Sequence, residues 1–244
     1  DTQGQPVRRG GDDKGYDNTT GLVRLSHTFD SGAEIGMLTL RSRGNTEFDA
    51  SGSPGDTDYV QQGAGIYSEI PIAENWRSRV TLSDARDEQE TAAYSDAYLT
   101  KTQTAVWKNT FYIGAHELIF GAEYTEDSVD GSDTGSGNYD VESRYNSAIF
   151  AQGLLDLSPL SLQSSLRHDS NEAFGDEVTG NVALGYELST YHTLRASYGM
   201  AFRAPSFNEL YFPYTDYGFY VFEGNPDLKP ESSYTAEVGI RGQY

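Results

Sequence analysis

Cysteine is absent from this 244-residue chain, which excludes disulfides, thiolate chemistry and cysteine-type zinc sites. Cations are scarce as well: 17 Lys and Arg stand against 37 Asp and Glu, a formal charge of −20. Nucleic acid is therefore a poor partner, because phosphate binding needs clustered Lys and Arg. No apolar run approaches the ~18 residues of a transmembrane helix, which excludes a helical membrane protein and says nothing against a strand-built one. Hydrophobic content is only 36%, low for a large dry core. No secretory leader is recognisable, so the chain reads as mature or as an excerpt. Catalytic patterns are lacking too. There is no nucleophile elbow, P-loop or HExxH motif, and His27, His116, His168 and His192 are scattered. His168 and Asp169 are neighbours whose side chains fall on opposite sides of a strand. The run from Asp127 to Asp133 has a superficial EF-hand look, but no glutamate closes it at the required place. The expectation is a protein that is not an enzyme.

What the chain has is alternation. Short connections at Asp30 to Gly32, Pro71 to Trp76, Gly114-Ala115, Leu157 to Leu160 and Leu188 to His192 alternate with long acidic ones. The long ones run from Gly44 to Asp58, Asp87 to Ala97, Asp127 to Val141, Asp169 to Glu177 and Ala204 to Ser233. Tight turns on one side, long loops on the other and strands of ~9–11 residues are the pattern of an outer-membrane barrel. Between the connections about eleven segments read as strands. Leu118, Phe120, Ala122 and Tyr124 share one face, opposed by Glu117, Gly121, Glu123 and Thr125. Val182, Leu184 and Tyr186, then Leu194, Ala196 and Tyr198, then Val238 and Ile240 continue the theme. The expected fold is all-β, an antiparallel transmembrane β-barrel with hydrocarbon on one face and a wet interior on the other. A soluble sandwich shows the same alternation. Two features favour the barrel: the sorting of connection lengths, and an aromatic girdle expected near the short turns at Tyr67, Trp76, Trp107, Phe111, Tyr112, Tyr186 and Tyr191.

One stretch carries a longer signature. It reads Phe202-Arg203-Ala204-Pro205-Ser206-Phe207-Asn208-Glu209-Leu210-Tyr211, then Gly224-Asn225-Pro226-Asp227-Leu228-Lys229-Pro230-Glu231, then Glu237-Val238-Gly239. Pro205 lacks an N–H and ends ladder pairing there, and the Gly, Asn and Pro that follow form turns. This resembles the mid-barrel signature of TonB-dependent outer-membrane receptors. Along nearly its whole length the chain is most similar to the cobalamin-transporter branch, through His27-Thr28-Phe29, the Asp30-Ser31-Gly32 turn and Phe48-Asp49.

The resemblance implies a Gram-negative outer-membrane receptor with a 22-stranded barrel, a plug in its lumen and an N-terminal segment engaging TonB. Residues 1–244 then correspond to about half of the barrel, without plug sequence, TonB segment or terminal strands, and with two unpaired edges. It also implies calcium-ordered loops, with Asp1, Asp12, Asp49 and Asp58 as ligands and Asp13 and Asp56 as near alternatives. Oxygen-rich loops suit calcium, although Lys14 falls where the family pattern has a second carboxylate. Ala50 and Asp96 correspond to ligand contacts. Tyr211, Tyr214, Tyr217, Phe219, Tyr220 and Phe222 make an aromatic loop suited to stacking on a flat macrocycle. The expected partners are outer-membrane lipid, TonB, and cobalamin or another scarce large nutrient. Alternatives are an iron-siderophore or haem receptor, a soluble calcium-dependent all-β binding domain, and a passive porin, which lacks the signature.

Overall fold

The period-two segments form a single meander, described here from a computed structural model covering residues 14–50, 53–91, 96–130, 139–216 and 218–242. In order they are β1 (Tyr16–Thr28), β2 (Glu34–Ala50), β3 (Ser53–Ala73), β4 (Trp76–Thr91), β5 (Asp96–Ile113), β6 (His116–Asp130) and β7 (Ser143–Leu157). There follow β8 (Leu160–Asn171), β9 (Gly175–Ser189), β10 (His192–Arg203), a one-turn helix α1 (Phe207–Tyr211), the short strands β11 (Thr215–Asp216) and β12 (Val221–Phe222), and β13 (Glu231–Gly242). Eleven strands make one antiparallel sheet in chain order, β1 through β10 and then β13, while β11 and β12 pair separately. Every neighbour pair in the large sheet is antiparallel. A ladder of this kind satisfies backbone N–H and C=O groups without water, as hydrocarbon demands.

Registers assign the two faces. Phe120 lies opposite Ala151 and Asn109, Tyr124 opposite Ala105, and Ile149 opposite Ala122 and His168. Farther along, Val182 faces Ser164 and Tyr198, and Ala196 faces Leu184 and Val238. All share one side with Leu118, Leu184 and Ile240, the side expected to meet hydrocarbon. Large apolar groups there stand open, Val238 at 82% and Ile149 at 64% of full exposure. Glu123 and Glu237 occupy the other side with Arg167, Arg195 and Thr125. No second sheet is stacked on the apolar face among the described residues, so the sandwich reading falls. An open apolar face of this extent is what a barrel presents to lipid.

Two expectations need correction. Most of the long connections are strand: β2 reaches Ala50 before β3 starts at Ser53, β4 reaches Thr91, and β8 reaches Asn171 before β9 starts at Gly175. The strands of the large sheet accordingly run from 12 residues in β8 to 21 in β3. Beyond the belt both faces are wet, so the ladder continues where apolar alternation has stopped and the sequence signal with it. Among the described residues, the segment from Ala204 to Pro230 is the one that stays long and mostly irregular. The girdle also loses Tyr67 and Tyr112, which alternate onto the polar face. Tyr67 lies across Gly36, where a Cβ would run into its ring, and its hydroxyl donates to Glu34. Arg79 sits over the same ring, 3.7 Å from its centre. Trp76, Trp107, Phe111 and Tyr186 keep the outward side, and Trp76 stacks on Phe111 at 5.3 Å.

The short turns lie together at one end of the meander. In the first, Gly32 adopts φ +79°, a left-handed conformation that glycine takes without steric cost. Its N–H donates to Phe29 O at 2.8 Å, and Phe29 N–H donates to Ala33 O at 2.8 Å.

Candidate ligand site at the mouth

The described residues pack tightly at the opposite end, the mouth, around the family signature. β10 stops at Arg203 and Pro205 follows, as its missing N–H requires. Ser206 then caps α1: its hydroxyl accepts from Glu209 N at 3.2 Å, while the Glu209 carboxylate accepts from Ser206 N at 2.8 Å. This reciprocal box fixes a helix far too short to form unaided. Arg203 donates to the same carboxylate at 2.7 Å and lies 3.4 Å from Glu231. β10 and β13 pair Arg203 directly opposite Glu231, which sets up the second contact.

Arg203, and then the Ser206 amide, hold the Glu209 carboxyl down at about 2. A depressed carboxyl stabilises the cap above its unfolded value of ~4.3, and the contribution is lost as pH falls toward ~2. Cleavage of the receptor by an acid protease within 204–212 should therefore rise between about pH 4 and 2. Glu209→Gln should remove that pH step and leave the segment uniformly more labile.

Leu210 is the most enclosed residue, 1% exposed. Phe207, Val129 and Tyr139 form a buried cluster with Tyr98, Tyr211 and Phe212 against it. Burial pushes the Tyr139 hydroxyl up to about 12, so it stays protonated and donates to Asn208 Oδ1. The returning loop closes the knot: Gly224 N–H donates to Phe212 O at 2.9 Å and Asn225 N–H to Glu209 O at 2.8 Å. At Gly224 a Cβ would lie 2.5 Å from the backbone nitrogens of Tyr211 and Phe212. The glycine and asparagine of the signature are thus closure points of the loop.

Beneath the knot lies a hollow of about 510 Å³ on the polar face, lined by Asp87, Gln89, Tyr98, Thr100, Asp127 and Arg144 with Ser206 to Asn208 above. Arg144 is the hinge between wall and knot. It donates to Pro205 O at 2.8 Å, sits 4.6 Å from the centre of the Phe207 ring, and lies 3.8 Å from Asp127 Oδ2. Its Nε is buried and has no hydrogen-bond partner. That Nε is the atom facing Asp127 Oδ2 at 3.8 Å, and an unbonded buried donor of this kind costs ~1–3 kcal/mol. Sequence reasoning missed Arg144, Asp127, Tyr98 and Tyr139. The available signal was the register of β6 on β7, which sets Asp127 opposite Arg144 on the wet face.

Of the expected calcium ligands, Asp56 and Asp58 have described side chains. Asp1, Asp12 and Asp13 lie outside the described residues, as do the side chains of Asp49, Ala50 and Asp96. The backbone of Asp49 pairs with Pro54 and that of Ala50 with Ser53, near the β2–β3 tip. Asp96 opens β5 opposite Thr91, two residues before the hollow-lining Tyr98. Asp56 and Asp58 share a donor: Asn45 Nδ2 reaches Asp56 Oδ2 at 3.1 Å and Asp58 Oδ1 at 2.9 Å. The amide N–H groups of Asn45 thus hold the two carboxylates side by side. Among the described residues, no three carboxylates or histidines converge as a metal site would need. In the aromatic loop Tyr217 is outside the described residues. Phe219 and Tyr220 meet at a tilt with ring centres 5.2 Å apart, and Phe212 meets Phe222 edge-on at 4.9 Å.

Comparison with known proteins accords with this geometry. The family model described as "TonB dependent receptor-like, beta-barrel" matches residues 1–244. The vitamin B12 transporter BtuB of Vibrio vulnificus (strain YJ016) is 27% identical over 253 residues, covering 96% of this chain and 38% of the transporter. The BtuB protein of Photobacterium profundum is 26% identical over 242 residues, with the same 96% and 38% coverage. The chain thus spans about two fifths of the length of these relatives. Among solved structures, the siderophore receptor PirA of Pseudomonas aeruginosa superimposes with a TM-score of 0.78 at 16% identity, over 94% of this chain and 44% of that one. The hemophore receptor HasR of Serratia marcescens gives 0.67 at 16% identity, over 92% and 42%. At these identities the superpositions establish fold alone. Family model, registers and signature agree: the chain belongs to the TonB-dependent receptor β-barrel family.

Proposed function

We propose that this chain is barrel wall and mouth of an outer-membrane receptor that takes up cobalamin through TonB-coupled transport, in a Gram-negative bacterium. The observation that carries the ligand is alignment of 96% of the chain, mouth segments included, with transporters named for vitamin B12. The mouth supports it: a roofed polar hollow lined by Gln89, Thr100, Asp127 and Arg144 suits the amide and hydroxyl groups of a large polar macrocycle. Calcium belongs to the same reading, ordering the β2–β3 tip through Asp56 and Asp58 together with the acidic residues near it in sequence. An iron-siderophore receptor is the runner-up on fold. Haem is less suited, because no histidine lines the mouth hollow, and His27, His116 and His192 lie at the turn end.

The test is growth of a cobalamin-requiring strain that has the full receptor as its only uptake route. Growth on nanomolar cyanocobalamin, and none on ferric siderophore or haem as sole iron source, is expected; the reverse pattern overturns the ligand. Arg144→Met in that receptor should weaken cyanocobalamin binding about tenfold, the value of one charged hydrogen bond. Calorimetry of the full receptor with millimolar calcium should show binding that Asp56→Asn with Asp58→Asn abolishes. A flat titration ends the calcium part.

A further inference from the structure

The lipid-facing side of the sheet carries its cations in one place. Strand alternation puts Arg41 and Arg43 of β2, Arg86 of β4 and Lys101 of β5 on the same face as Met37, Ile66, Leu82 and Ala105. Every other described Lys or Arg within the strands of the large sheet alternates onto the polar side. Three of the four lie in a single cross-strand row, Arg41 with Gln62, Gln62 with Arg86, and Arg86 with Lys101. With strands ~4.8 Å apart, the row spans about 15 Å. Each of these three stands four residues toward the mouth from an apolar belt residue on its strand (Met37, Leu82 or Ala105), ~13 Å at the rise of an extended strand. That is headgroup depth for long side chains that snorkel out of a belt.

The row is frustrated as it stands. Arg86 and Lys101 are directly opposed like charges, which destabilise a sheet. Arg86 reaches Glu88 at 2.8 Å, but its Nε is buried with no hydrogen-bond partner. Arg41, Arg43 and Lys101 make no ion pair with a described residue. On the polar side, by contrast, Arg77 and Arg79 share Glu69, Arg144 approaches Asp127, and Arg167 joins Glu123 to Asp169. Asp84 and Glu126 below the row, and Glu88 and Asp130 above it, confine its positive character to a narrow strip. A narrow cationic strip at headgroup depth suits a phosphate held on a membrane anchor, approached sideways from the lipid, rather than a freely diffusing anion.

From this we infer a lateral site on the outer wall, at Arg41, Gln62, Arg86 and Lys101, for the phosphate of a phosphorylated lipid in the mouth-side leaflet. The inference rests on the apolar face lying in a membrane and is independent of which nutrient the receptor carries.

Native mass spectrometry of the full receptor in detergent, titrated with bis-phosphorylated lipid A, tests it. Phosphatidylcholine and inorganic phosphate serve as the other arms. The expected result is retained lipid A, loss of it on the order of fivefold per cation removed in Arg41→Gln and Lys101→Gln, and no retention of phosphatidylcholine. Inorganic phosphate should not compete at equal concentration. Arg195→Gln, which removes one charge from the polar face, should bind as wild type does, and Lys101→Arg should retain the lipid. Equal retention by wild type and by a receptor carrying both Arg41→Gln and Lys101→Gln, or displacement by inorganic phosphate, overturns the site.

Discussion

Val182→Arg should cost the receptor about 2–4 kcal/mol of folding free energy in a bilayer, whereas Ala183→Arg, one residue later, should stay within about 0.5 kcal/mol. Val182 sits between Ser164 and Tyr198 on the apolar face, in the middle of the β9 stripe that runs from Val178 to Tyr186. A guanidinium there has hydrocarbon on every open side and lies too far from either rim to reach water fully. Ala183 lies between Gln163 and Ser197 on the polar face, in the row of Glu237. An arginine at that position finds water and a carboxylate. Reversible urea unfolding in short-chain lipid vesicles measures both variants against wild type. Equal costs, or a larger cost at 183, would mean that the faces are exchanged and the barrel assignment is wrong.

That contrast also marks how far the sequence could be read. The belt was legible because hydrocarbon on one side and water on the other force alternation: Leu118, Phe120 and Tyr124 against Gly121 and Glu123 allow one assignment. Strand ends were not, because above the belt nothing penalises a polar residue on either face, so β2 and β4 continue unseen through Glu47 and Glu88. Tyr67 was misplaced for a related reason. Aromatics cluster in girdles, but whether a given ring faces out depends on parity, and here Gly36 opposite leaves the wet side open to it. The signature was legible as a signature, while its physical content was not. Ser206 and Glu209 show a capping box in plain sequence, yet nothing local indicates that Leu210 is buried, that Gly224 lies against the backbone of 210–212, or that Arg144, some sixty residues earlier in the chain, fastens the knot through Pro205. The calcium ligands stayed a matter of resemblance because most of them fall outside the described residues.

Gly224→Ala should open the mouth knot without melting the barrel. A methyl group at this position meets the backbone of Leu210, Tyr211 and Phe212 at 2.5 to 2.6 Å, and backbone atoms cannot rotate away as a side chain can. Relief requires the 224–225 segment to lift, which breaks its two bonds to Phe212 O and Glu209 O and unroofs Leu210. Leu210→Ala reaches the same state from the other side, by leaving a cavity that typically costs 2–5 kcal/mol, so about 3 kcal/mol is a fair expectation. The knot meets its surroundings through Arg144, Val129, Tyr98 and Tyr139, at the end of the sheet, so the loss stays local, as sub-global opening does. Amide exchange across Phe207 to Phe212 should then accelerate about a hundredfold in either variant, with β8 and β9 amides unchanged. Exchange that stays slow in Gly224→Ala would mean the loop does not close on α1 at all. Acceleration spreading through β8 would mean the knot holds the wall together rather than roofing it.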